Sequence, residues 1–413
     1  MITGEHTDAV RERFAHVAMR SAPPPMAVLD HGRGALVWDV DGREYLDFLA
    51  GIAVNALGHA HPAMVEAVTA HAQRLVHVSN YFTTPEAVAF AERLVRLTGF
   101  GATGRVYPAN SGAEAIEAAL KLARRTGRPR ILAFEQGFHG RTMGALALTG
   151  KRALREPFEP MLPGVEHLPT DLSALEAALT SDVAALVLEP IKGEAGVVPL
   201  PPGFLLEARR LTREHGVLLI VDEIQTGAGR TGDWFAFQHE LGLTGDLDEL
   251  PDAVVVAKGI GGGVPVGALI TRGAASELFT LGQHGSTFGG NPLATGVADA
   301  VLAEIERADL VGNAARRGEQ LRQGILALGS PLVAEVRGRG LLLGVGLTAP
   351  VASLVVAEAL DRGLIINAAN DTSIRLAPPL IIGDTEIDRF FTLFAESLTA
   401  AHPIHDSLEA PQS

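Results

Sequence analysis

Four short runs constrain the architecture of this 413-residue chain more than any other feature: "RILAFE" (130–135), "VAALVLEP" (183–190), "VLLIVDE" (217–223) and "AVVVAK" (253–258). Each is almost continuously apolar, with no polar alternation. That pattern suits strands buried on both faces, as in a parallel sheet covered by helices. Helical segments separate them, and "AEAIEAALKLARR" (113–125) is strongly helical and stops at Gly127. Near the start, "ALVWDVDGREYLDFL" (35–49) reads as two strands around Asp41-Gly42. A helical stretch around 292–328 leads into "VAEVRGRGLLLGVGL" and "GLIINAANDTSIRLAPPLII", the strands of a smaller α+β unit. The expected organisation is an N-terminal segment of a small domain (1–55), a large α/β domain (56–295), the rest of the small domain (296–400) and a frayed tail (401–413).

Composition narrows the function classes. A formal charge of −14 argues against nucleic acid or an anionic membrane as partner. The absence of cysteine excludes disulfides, thiolate metal sites and a cysteine nucleophile. The N-terminus lacks a signal-peptide pattern and no apolar run is long enough to span a bilayer, so a cytoplasmic location is expected. His59, His61, His71 and His77 match no helical ligand pair and read as loop histidines rather than a metal site.

Several residues have a chemical use beside an ordinary structural one. Ser111 precedes a helix and Glu114 follows three residues later, a capping box. The same turn gives Ser111, Gly112 and Ala113 free backbone N–H groups, where a phosphate can bind. Asp222 ends a buried strand; it either caps a turn or keeps a heterocyclic nitrogen protonated. Lys258 ends the next such strand. Its head either reaches water, or burial strips its proton and makes it a nucleophile toward an aldehyde. Phe138 offers a flat apolar face, Arg141 and Arg375 offer guanidinium groups for carboxylates, and Glu194 lies in a glycine-flanked loop. "GAGRTG" (227–232) matches a dinucleotide fingerprint in letters, but Asp222 and Glu223 hold the strand end where a pyrophosphate would sit. A nicotinamide dehydrogenase is therefore the weaker reading.

In order along the chain, "NSGAEA", "FHGRTMG", "EPIKGEAGVV", "DEIQTGAGRTG", "AKGIGGGVPVGA" and "HGSTFGGNP" resemble the motifs of class III pyridoxal-phosphate-dependent aminotransferases of fold type I, most closely the acetylornithine aminotransferases of actinobacterial type. The resemblance implies a mixed, mostly parallel seven-stranded sheet between helices, with a small α+β domain. It implies pyridoxal phosphate as cofactor, and acetylornithine, 2-oxoglutarate and glutamate as substrates in arginine biosynthesis. Other terminal-amine donors, such as succinylornithine, ornithine or γ-aminobutyrate, are the alternatives. It implies that Lys258 holds the cofactor covalently and moves the proton, that Asp222 pairs with the pyridinium nitrogen, and that Gln225 reaches the phenolic oxygen. Phe138 stacks on the ring, Ser111, Gly112 and Ala113 cradle the phosphate, and Glu223 and Ile224 complete the cofactor's surroundings. Thr287, beside Ser286, reaches the phosphate of a partner subunit, so that a homodimer is the catalytic unit. Arg141 takes the substrate's distant carboxylate, with Ser286 nearby. Glu194 and Arg375 form an exchangeable pair that lets one pocket accept two unlike substrates.

The chain departs from the family pattern at Ile116, where asparagine is usual. It also lacks the tyrosine that ornithine-using relatives carry near "PPP" (23–25), which argues against free ornithine as donor. Lys192 puts a further charge beside Glu194, with no role in this reading.

Overall fold

The computed structural model describes residues 2–21, 23–242 and 249–409, and their side chains as far as residue 402. Its centre is a seven-stranded sheet made of β1 (Arg105–Ala109), β2 (Arg130–Phe134), β3 (Val165–Leu168), β4 (Val183–Leu188), β5 (Leu218–Asp222), β6 (Ala253–Val256) and β7 (Gly267–Thr271). The spatial order is β1-β7-β6-β5-β4-β2-β3. Only β7 runs antiparallel to its neighbours β6 and β1; the other pairings are parallel. The four apolar runs thus became β2, β4, β5 and β6, each ending one to two residues short of the sequence expectation. Strands β1, β3 and β7 have weaker patterns and were not expected individually.

The sheet is buried on both faces, as uninterrupted apolar runs require. On one face α1 (Gly112–Arg124) packs Ala115, Ile116, Ala119 and Leu122 against Ala133, Ala185, Ile220 and Val255. On the other, Leu132, Leu186, Val221 and Val254 join the main core. Alternate residues of one strand, such as Ile220 and Val221, therefore serve opposite layers. Ile116 is fully buried in the alanine-rich layer under α1, so an apolar side chain is what this helix face accommodates. A polar amide there would need a buried partner or cost about 1–3 kcal/mol.

Three smaller sheets accompany the central one among the described residues, the smallest being the antiparallel pair Ile191–Lys192 and Val198–Pro199. Leu36–Asp39 and Glu44–Asp47 pair as the hairpin read around Asp41-Gly42. Its turn is tied by Asp39, whose carboxylate accepts from the N–H of Asp41 and Arg43 and from the hydroxyl of Tyr45. Leu364–Ile365 pairs in parallel with Glu44–Asp47, so early and late segments share a sheet. A second four-stranded sheet runs Val333–Arg339, Leu342–Leu347, Ser373–Leu376, Asn367–Asn370 in that spatial order. The last helix, Asp384–Glu409, covers most of the stretch expected to fray, and 410–413 lie outside the described residues. No helix among the described residues is long and apolar enough to cross a membrane.

Candidate active site

The parallel strands deliver their chemistry to one edge. Ser111 follows β1, Phe138 follows β2, Glu189 follows β4, Asp222 ends β5 and Lys258 follows β6. All stand outside the carboxyl ends of the strands, where open α/β sheets bind ligands. A cavity of about 400 Å³ opens there, lined among others by Ser111, Gly112, Phe138, Asp222, Gln225 and Lys258. Ala113, Ile224 and Glu194 line it too.

At one end of the cavity lies the N-terminus of α1. Ser111 Oγ accepts from Glu114 N (3.1 Å), and Glu114 Oε2 reaches back to Asn110 N (2.9 Å). Ser111 caps the helix as expected, but Glu114 returns to Asn110 N, one residue before the cap, so the box is not strictly reciprocal. The cap coexists with anion binding, because the Ser111 hydroxyl proton and the N–H groups of Gly112 and Ala113 stay available to a ligand. Close packing fixes this turn: a Cβ on Gly112 would stand 2.7 Å from Ile224 Cδ1, and one on Gly267 only 2.5 Å from Ser111 O.

Along the sheet edge stands a row of buried acidic and imidazole side chains. Asp222 Oδ2 lies 2.7 Å from His139 Nδ1, and its Oδ1 accepts from Ile224 N (3.0 Å). Both ring and carboxylate are buried. Burial pushes the His139 ring down, but the hydrogen bond and charge of Asp222 outweigh it and leave its pKa raised. Glu189 accepts from Phe138 N (2.7 Å), and burial pushes its carboxyl up to about 7. Neither His139 nor Glu189 was singled out from the sequence, although Glu189, like Asp222, is an acid just past the end of an apolar strand.

Lys258 sits two residues beyond β6 with a backbone φ of +47°, a left-handed conformation costly for a residue with a side chain. Its pKa is pushed down to about 8, by burial first and then by Arg375, against opposing pulls from Glu194, Asp222 and Glu189. Such an amine gives up its proton far more readily than an ordinary lysine, with the nucleophilic form taking over above about pH 8. Across the cavity, Glu194 Oε1 and Arg375 Nη1 are 2.5 Å apart. Arg375 is only 1 % exposed and also donates from Nε to Asn367 Oδ1 (3.1 Å). Burial pushes Glu194 up, but the charge and hydrogen bond of Arg375 prevail and hold its carboxyl below the usual range.

Five expected residues lie elsewhere than the cavity wall. Glu223 is fully buried, accepting from Thr226 Oγ1 and from the N–H of Ala236 and Phe237, so it braces the following loop and does not face the cavity. Arg375 stands behind Glu194. Ser286 sits behind Asn110, whose Nδ2 donates to its Oγ (3.0 Å). Thr287 is exposed, away from the cavity of its own chain. Arg141 is exposed, with its guanidinium 5.7 Å from the Phe138 ring centroid. Lys192 points the other way: its Nζ donates to Glu135 O and Thr170 Oγ1 and lies over the Phe134 ring. The four histidines weighed as ligands go to separate tasks. His59 bonds Asp47, His61 caps a helix, His71 packs on Gly296 and His77 leans on Phe288.

The cavity fits the phosphorylated aldehyde that the resemblance implies. It offers a helix N-terminus for the phosphate, an amine for the aldehyde, a carboxylate for a protonated ring nitrogen and a half-buried aromatic face. Gln225 Oε1, buried and without a hydrogen-bond partner among the described residues, faces Gly193, where a Cβ would come within 1.7 Å. A buried amide atom left unpaired costs about 1–3 kcal/mol, which a polar ligand can recover.

Comparison with known proteins agrees with this geometry. The family model described as Aminotransferase class-III matches residues 17–398. Acetylornithine aminotransferase of Streptomyces coelicolor is 50% identical over 93% of this chain and 94% of its own. That of Mycobacterium tuberculosis strain H37Rv is 51% identical, over 93% and 94% respectively. Among solved structures, ornithine aminotransferase from Toxoplasma gondii, with partial occupancy of PLP at its active site, aligns with a TM-score of 0.90 at 33% identity, covering 97% of this chain and 96% of that one. Site geometry, family match and relatives agree: the chain belongs to the class III aminotransferases, enzymes of fold type I that depend on pyridoxal phosphate.

Proposed function

We propose that this enzyme transfers the terminal amino group of N-acetylornithine to 2-oxoglutarate, giving N-acetylglutamate 5-semialdehyde and glutamate in arginine biosynthesis. The observation that carries the reading is the Glu194–Arg375 pair, 2.5 Å apart, in which Glu194 lines the same cavity as Lys258 and Arg375 stands behind it. A terminal amine has no carboxylate on the carbon that reacts, so an unpaired Arg375 beside it would be a buried, uncompensated charge, costing several kcal/mol. Glu194 removes that cost. 2-Oxoglutarate carries a carboxylate next to its reacting carbon, which can take the place of Glu194 on Arg375. Identity of about half, over more than nine-tenths of the chain, to acetylornithine aminotransferases supports the acylated donor. So does the absence of tyrosine between residues 20 and 28.

The residues have these tasks. Ser111, Gly112 and Ala113 hold the phosphate at the helix N-terminus. Phe138, tethered through Glu189, covers one face of the ring, and Gln225 meets its phenolic oxygen. Asp222, backed by His139, keeps the ring nitrogen protonated. When bound, pyridoxal phosphate supplies an electron sink that stabilises negative charge on the substrate carbon. Lys258, released by the incoming amine, takes a proton from that carbon at Nζ and returns it on the other side of the transfer. Arg141, outside the cavity of its own chain, receives the substrate's distant carboxylate.

The working unit is a homodimer in this proposal. Thr287 and Ser286 lie on an exposed segment whose neighbour Phe288 is 61% exposed, and Tyr81 and Phe82 nearby are 89% and 71% exposed. Exposed aromatics of this size mark an interface. Thr287 then reaches a partner's phosphate site.

Purified holoprotein should be yellow, and borohydride or Lys258→Ala should abolish its near-ultraviolet or blue band. With 2-oxoglutarate as acceptor, acetylornithine should be used at a higher kcat/KM than ornithine, succinylornithine or γ-aminobutyrate. Preference for one of the other three donors would replace the substrate assignment. A colourless protein that does not take up pyridoxal phosphate would remove the proposed cofactor chemistry.

A further inference from the structure

Glu194 stands in a short turn, Gly193–Ala195, and the carbonyl groups of Glu194, Ala195 and the following Gly196 are gripped in succession by side chains from separate parts of the chain. Lys151 Nζ donates to Glu194 O (2.5 Å), Asn370 Nδ2 to Ala195 O (2.9 Å) and Arg337 Nε to Gly196 O (2.8 Å). The grip is close. Gly196 has φ +105°, and a Cβ there would stand 2.7 Å from Ser373 Oγ and 2.8 Å from both Arg337 Nη2 and Asn370 Nδ2. Arg337 is itself fixed by Ser373 Oγ (2.5 Å) and Glu335 (2.6 Å).

The strand Asn367–Asn370 links this turn to the arginine. Its last residue holds Ala195, and its first, Asn367, accepts from Arg375 Nε (3.1 Å). The backbone of Glu194 and the guanidinium of Arg375 are thus referenced to a single strand. The Glu194 carboxylate, by contrast, is only half-buried and hydrogen-bonds Arg375 alone among the described residues. Its main chain is pinned while its side chain can rotate.

We infer that Lys151, Arg337 and Asn370 are positioning residues that set substrate choice, by fixing the Glu194 backbone so that only its carboxylate moves on and off Arg375. The inference rests on the exchange of partners at Arg375 proposed above. A pinned backbone pre-places the carboxylate and strengthens its pairing, which favours donors without a carboxylate at the reacting carbon. Loosening the turn weakens the pair and leaves Arg375 more open to an α-carboxylate, so the balance moves toward glutamate.

The test uses the holoenzyme and follows each half-reaction separately through the absorbance of the bound cofactor, with acetylornithine or glutamate as amine donor. Asn370→Ala is at an exposed position and spares the core; Lys151→Met is an independent second variant. Each should shift the kcat/KM ratio, acetylornithine over glutamate, by about three- to tenfold toward glutamate, the size of coupling expected between residues acting on one pair. Glu194→Gln should shift the ratio the same way, and adding Asn370→Ala to it should change the ratio no further. If Asn370→Ala and Lys151→Met slow both donors equally, or leave the ratio where it was while Glu194→Gln moves it, the clamp is wrong and the exchange stands. If Glu194→Gln leaves the ratio unmoved, the exchange and the clamp fall together.

Discussion

His139 Nδ1 lies 2.7 Å from Asp222 Oδ2 with both side chains buried, so a raised-pKa imidazole backs the carboxylate at the end of β5. Asp222→Asn removes the carboxylate proposed to face the ring nitrogen and should lower kcat/KM by more than about a hundredfold, as for loss of a preorganised electrostatic partner. His139→Gln keeps the carboxylate but loses the imidazole hydrogen-bonded to it, and about a tenfold loss is expected. Steady-state kinetics with acetylornithine decides it. A His139→Gln loss as large as that of Asp222→Asn would mean the histidine contacts substrate or cofactor directly.

Lys258 should make stability depend on pH in a particular direction. Its pKa in the folded chain is about 8, against an ordinary value of 10.5. Below pH 8 it is protonated in folded and unfolded chains alike, and the folded state bears the full cost of that charge. Between about 8 and 10.5 the unfolded chain binds a proton that the folded chain has released, so this residue's contribution to stability rises with pH. Cofactor-free Lys258→Met should therefore exceed cofactor-free wild type at pH 7 by about 1–3 kcal/mol, with the gap closing toward pH 10. Urea titrations at both values measure it. A gap that widens with pH would contradict the sign.

The charges at strand ends were legible in sequence because parallel strands are apolar throughout, so a charge where one stops stands out. Asp222 and Lys258 were found that way. Glu189 met the same criterion but was passed over, since only a fold shows that Phe138 N reaches it. Glu223 failed in the opposite sense: next to Asp222 it looks like part of the site, yet alternation along the chain turns it inward toward Ala236 and Phe237. β7 was missed because "GALIT" follows a glycine-rich loop, and its place depends on pairing with β1, far away in sequence. The carbonyl clamp around Glu194 could not be read at all. It joins Lys151, Arg337 and Asn370 through backbone atoms, which leave no mark on residue type.

Gln225 separates the empty protein from the loaded one. Its Oε1 is buried and without a partner among the described residues, so Gln225→Leu should leave the cofactor-free protein as stable as wild type or up to about 1 kcal/mol more stable. The same change removes the hydrogen bond proposed between Gln225 and the cofactor, so pyridoxal phosphate affinity should fall about tenfold. Denaturation without cofactor and equilibrium titration with it give the two numbers. Equal losses in both states would mean that Gln225 supports the fold and not the ligand.

Arg375→Lys tests what the guanidinium does for each substrate. A lysine retains the charge but cannot form two parallel bonds to a carboxylate. KM for 2-oxoglutarate should rise about ten- to a hundredfold, while the half-reaction with acetylornithine, in which Glu194 is the partner, should change by less than about threefold. If both half-reactions weaken alike, Arg375 is holding the fold through Asn367 rather than sorting substrates.

Phe288 tests the dimer. It is 61% exposed beside Thr287, and its ring meets His77 at 5.3 Å, close to the exposed Tyr81 and Phe82. An apolar group of this kind at the centre of an interface contributes about 2 kcal/mol or more, and a buried carboxylate in its place adds a desolvation cost. Phe288→Asp should sediment as a monomer at micromolar concentration, where wild type sediments as a dimer. Because Thr287 is proposed to complete the phosphate site of the other chain, the monomer should also bind pyridoxal phosphate more weakly and lose activity. A monomeric variant with full cofactor affinity would show that the segment joins the subunits without serving the site. A wild type that sediments as a monomer while active would remove the dimer from the proposal.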